Sequence, residues 1–149
     1  MSIVRTAAVA AAILAFCLPA TPRAMAAEVP LPDDIRIVAP DAAVPEALRR
    51  FQGKWSGQWS GKLDTVVIVE RIEPSGQATL VYAWGDYAPW KATRDWVRWQ
   101  ARIAGDTMIL DRFPNGALTR FVFRGDGSLG GTYEAQRYVH HGTFRPGRE

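Results

Sequence analysis

Residues 97–112 read VRWQARIAGDTMILDR, and the spacing of side chains along this stretch decides the fold. Val97, Trp99, Ala101 and Ile103 alternate with Arg98, Gln100 and Arg102. A strand has that period of two, because successive side chains point to opposite faces of the pleat. Gly105-Asp106 interrupts the run, and a second apolar stretch follows. Glycine and aspartate tolerate the positive φ of a tight hairpin, so the segment predicts two antiparallel strands, near 95–104 and 107–112.

The same grammar extends both ways. Ala78, Leu80, Tyr82 and Trp84 alternate with Thr79, Val81 and Ala83, and Thr119, Phe121 and Phe123 with Arg120, Val122 and Arg124. Pro74-Ser75-Gly76, Asn115-Gly116 and Asp126-Gly127 supply further turns. The remaining strands fall near 54–62, 65–73, 77–84, 117–124, 128–134 and 137–145. No helical stretch long enough for a parallel crossover separates them, so neighbours pair antiparallel. A row of hairpins leaves two unpaired edges unless it closes. The prediction is therefore an all-β domain over 46–149, an eight-stranded antiparallel up-and-down barrel, with a two-sheet sandwich as the alternative.

Ahead of the strands the composition changes twice. Residues 1–26 carry Arg5, the apolar run AAVAAAILAFCL (7–18) and Ala24-Met25-Ala26 before Ala27. This is the layout of a cleaved secretory signal, and the run is too short to span a bilayer, so no stable membrane insertion is expected after cleavage. The expected location is periplasmic or secreted. Cys17 follows the bulky Phe16, unlike the small residue that precedes a lipidated cysteine. Residues 27–45 hold Pro30, Pro32, Pro40 and Pro45 and read as a linker or surface arm. VPEALRRF (44–51) predicts a short helix with Val44, Leu48 and Phe51 on one face, suited to capping a barrel end.

Charge and cysteine content narrow the chemistry. Removing the leader takes away Arg5 and Arg23 and no acid, which lowers the formal net charge from +3 to +1. That balance gives no basis for nucleic-acid binding. The leader also contains the only cysteine, so the remaining chain has no thiol nucleophile, thiolate metal site or disulfide. There is no Gly-x-Ser-x-Gly elbow, no His-Glu-x-x-His and no phosphate-binding glycine loop. Glu70 and Asp111 read as partners for the many arginines, and Arg98 and Arg102 as a solvated strand face.

FQGKWSGQWSG (51–61) opens the predicted barrel. Trp55, Gly57 and Trp59 share one face, where the small residue lets the strand bend and the indoles lie across the interior. Gly53-Lys54-Trp55, after a short helix and ahead of a meander of strands, resembles the Gly-x-Trp motif that begins lipocalin-like barrels of the calycin group. The resemblance implies a barrel holding one small ligand, and an arginine of a late strand, Arg137 or Arg145, stacked on Trp55. The run VVIVERIEPSGQATLVYAWG (66–85) is similar to a recurring bacterial exported domain of uncharacterised function.

The predicted binding residues are Trp59, Tyr82, Trp84 and Trp99 on strands, with Tyr87 and Trp90 on the long segment 85–95. Aromatics at a barrel mouth suit a small, largely apolar molecule, and no chemistry on it is expected. Trp90 has a second reading, as a plug folded back over the barrel end. A protein-interaction or inhibitor barrel acting on an envelope or hydrolase partner is the alternative function. A third reading starts from His140, which faces inward if Phe144 does. Gly53-x-Trp55-x-Gly57 with a late histidine resembles nitrobindin-type haem barrels, which implies haem on His140.

Overall fold

The structure, a computed structural model, describes residues 28–147; the predicted leader, Cys17 included, lies outside the described residues. One helical turn, α1 (Glu46–Arg49), precedes eight strands: β1 (Gly53–Trp59), β2 (Leu63–Ile72), β3 (Gln77–Trp84), β4 (Asp95–Ala104), β5 (Thr107–Leu110), β6 (Leu118–Phe123), β7 (Leu129–Ala135) and β8 (Tyr138–Pro146). Each strand pairs antiparallel with the next, and β8 returns to β1, with Gly57 opposite Phe144, to close the barrel. Closure rules out the sandwich.

The helix end is sealed first. Val44, Leu48 and Phe51 are all buried, as their spacing predicts. Phe51 meets the edge of Phe123 at 5.8 Å, and Trp55 meets the same ring at 6.0 Å while its Nε1–H donates to the Phe51 carbonyl at 2.9 Å. The expected late-strand arginine on Trp55 is a misreading. Arg145 alternates with the inward Phe144, points outward and lies 3.9 Å from Asp126, and Arg137 sits in the turn at the opposite end. The cation at this end is Arg50, carried by the end of α1 and held 4.4 Å over Phe123.

Mid-barrel, the opening motif does what its spacing implies. Trp59 lies among Phe121, Tyr133 and Phe144 at ring distances of 5.9, 5.9 and 5.0 Å. Three glycines make the room. A Cβ on Gly131 would come within 2.7 Å of Trp59 and 2.9 Å of Phe144, one on Gly142 within 2.9 Å of Phe144, and one on Gly57 would meet the Thr143 carbonyl. Interlocking rings therefore fill this level of the barrel.

The arm lies on the outer wall. Val29, Leu31 and Ile35 cover Val66, Ile68, Val81 and Ala83 with Trp96 alongside, so β2 is buried on both faces. Glu70 continues the outward series of Val66 and Ile68, and a bulge between Val69 and Arg71 then shifts the β2–β3 register so that Ile72 faces the core. Arg98 binds Glu70 at 2.9 and 3.2 Å and Asp34 of the arm at 2.9 and 3.3 Å. Its guanidinium holds the Asp34 carboxyl below the usual range. Only Arg102 of the predicted solvated pair is free of such a clamp; Arg98 is the bolt that fastens the arm.

Candidate functional site

Four connections meet at the end away from α1: 60–62, 85–94, 111–117 and 136–137. Inward side chains towards this end are Trp84 and Tyr82 of β3 and Trp99 of β4, which pairs one inward position below Tyr82, with the directly opposed Tyr133 and His140 on the other side. Period two puts them on the inner face, and β-propensity suits all but His140. Trp84 donates Nε1–H to the Thr93 carbonyl and Trp99 to the Asp111 carbonyl, both at 2.8 Å, which fixes each indole to a neighbouring loop.

The mouth is notched on one side. β5 stops at Leu110, so its ladder with β4 runs only from Ala101 to Ala104. Beyond the Asp111 N–H bond to the Gln100 carbonyl, the upper half of β4 is paired on its β3 side alone. The loop 111–117 fills the notch with Phe113. That ring stacks on Trp99 at 5.3 Å with 22° between planes, and touches Tyr82 at 5.1 Å.

The loop 85–94 closes the mouth from another direction. It is a knuckle tied by Tyr87–Ala92 backbone bonds of 3.0 and 3.2 Å, by Asp86 on the Arg94 N–H at 2.8 Å, and by a 3₁₀ turn over Ala88–Trp90. Lys91 ends that turn in the left-handed region at φ 54°. Tyr87 packs edge-on against Trp90 at 5.0 Å, and Trp90 lies over His140 at 4.1 Å and 31°.

The predicted site residues thus divide. Trp84, Trp90 and Trp99 are each half-buried towards the mouth but touch different rings, Tyr82, His140 and Phe113 respectively, with Tyr87 against Trp90. Trp59 and Tyr82 are buried in the core, joined by a 2.8 Å hydrogen bond from the indole N–H to the phenol oxygen. Burial pushes the Tyr82 phenol up from 10.0, and the bond from Trp59 opposes this only in part. Phe113 and Tyr133 belong to the site and escaped prediction. Phe113 stands alone among turn residues, where a single aromatic carries no period. Tyr133 follows Gly130-Gly131, which hides the alternation of β7.

His140 does face inward, on the same side of β8 as Phe144. Its Nδ1 is bonded to Ser60 Oγ at 3.0 Å and its face is covered by Trp90, so Nε2 is the ring nitrogen left for any ligand. Among the described residues no group of three or more His, Cys, Asp or Glu side chains is placed to hold a metal ion. No protein-family model matches the chain, and a search of the curated proteins finds no match.

Proposed function

We propose that this chain is an exported, lipocalin-like binding module that takes a small, largely apolar, ring-bearing molecule at its mouth without acting on it chemically. The observation that carries the reading is that two loop-borne rings lie on strand-borne ones. Phe113 rests on Trp99 and Tyr82, and Trp90 on His140. Aromatic pairs of this kind are worth about 0.5–1.5 kcal/mol beyond burial. Loops open at less cost than strands, so a flat ligand replaces such a ring and keeps most of the contact. The filled middle of the barrel keeps the ligand at the mouth.

The test is a fluorescence titration with the neutral probe N-phenyl-1-naphthylamine. Saturable binding weakened about tenfold by Trp99→Ala, the scale of one lost stacking contact, and unchanged by Trp96→Ala on the outer wall, supports the reading. Binding that is absent, or equally insensitive to both changes, overturns it.

A protein partner is the second reading, favoured by Tyr138 and Val139. They are 67% and 57% exposed at the tip of the β7–β8 hairpin, beside the same mouth. Tyr138→Ser with Val139→Ser would then abolish partner binding and leave the probe titration untouched.

A further inference from the structure

Beneath the stacked rings is a polar node whose hydrogen-bonding capacity is not used up. Thr119 is 0% exposed and faces inward on β6, yet its Oγ1 has no hydrogen-bond partner among the described residues. Leaving a buried hydroxyl unpaired costs about 1–3 kcal/mol. Tyr82 accepts from Trp59, and among the described residues no acceptor takes its own proton.

The two hydroxyls are linked through shared neighbours. Thr119 lies opposite Tyr133 in the β6–β7 ladder and one inward position from Phe121. Those two rings flank Trp59, whose N–H reaches Tyr82. The lid is built over the same place. Phe113 touches the Tyr82 ring, and its N–H is bonded to the Ala117 carbonyl, two residues before Thr119. Displacement of Phe113 would uncover the Tyr82 ring and release the bond that ties the loop two residues before Thr119.

We infer that the mouth selects a neutral ring compound bearing a hydroxyl or carbonyl oxygen at its leading end, and that Tyr82 and Thr119 are the residues that read that oxygen. This rests on the mouth being a small-molecule site. The node is formed by Trp59, Tyr82, Thr119 and Tyr133, with Asn115 donating to the Tyr133 hydroxyl at 2.9 Å. None of these side chains is a cation, so an anionic head group would be desolvated there without compensation. A neutral oxygen instead completes hydrogen bonds the fold leaves open.

The experiment compares 2-naphthol with 2-methylnaphthalene, which match in ring and size and differ in the hydroxyl, by calorimetric titration of the purified full chain. The expected result is a preference of about tenfold for 2-naphthol. Thr119→Val and Tyr82→Phe should each shrink that ratio towards one, while Thr119→Ser preserves it. Equal binding of both probes, or a ratio that survives both hydroxyl deletions, overturns the inference and leaves the mouth as an apolar site. Failure of both probes to bind overturns the small-molecule reading itself and this inference with it.

Discussion

Gly131 shows how tightly single positions are fixed in this barrel. Its missing side chain is the space that the Trp59 and Phe144 rings occupy, and neither ring can retreat through the closed wall. Gly131→Ala should cost about 1–3 kcal/mol, read as a lower midpoint in urea unfolding with an unchanged slope. Tyr82 gives a different signature. Below pH 10.0 both the folded and the unfolded chain keep the phenol proton, so pH has no effect through this group. Above that value the unfolded chain releases the proton while the folded chain holds it, and stability falls as pH rises, by about 1.4 kcal/mol per unit. An absorbance titration should find one of the four tyrosines ionising only as the protein unfolds, and Tyr82→Phe should remove that late step. At this scale the sequence was readable where a residue's role follows from its face. Trp55, Gly57 and Trp59 fell as their spacing implies. The arginine expected on Trp55 did not, because a family habit says nothing of where this chain's own helix places Arg50.

Among the elements, all eight strands were legible, with ends within three residues, and for a plain reason. Gly-Asp, Asn-Gly and Asp-Gly turns fix both the hairpin and the register of the runs they join. The arm was harder. Its proline content marks a segment without regular structure, while its docking depends on Val29, Leu31 and Ile35 finding an apolar wall assembled from β2 and β3. Nor does the period of β4 reveal that Arg98 meets Glu70, since that contact reaches across β3 to a side chain of β2. Arg98→Ala leaves a buried carboxylate without its cation and should destabilise the chain by about 1–3 kcal/mol. It should also detach the arm, seen as faster tryptic cleavage after the exposed Arg36 in otherwise native protein.

For the whole molecule, closure joins residues far apart in sequence, such as Gly57 and Phe144. A fold dominated by such pairings should refold in milliseconds to seconds in stopped-flow measurements, far slower than a helical bundle of equal size. The site was less legible than the fold because it is built from loops. No pattern in the sequence says that Phe113 reaches Trp99 or that Trp90 crosses to His140. Those contacts follow from which strand ends meet at the mouth and from how early β5 stops. The short β5 has a mechanical consequence. A closed cylinder of equal seams has no preferred place to yield, whereas this one has its shortest ladders on the two sides of β5, four residue pairs to β4 and three to β6, below the loop that bears Phe113. Strain applied at the rim would be taken up first on the notched β4–β5 side, where no loop joins the two strands at that end, and would leave the β1–β8 closure intact.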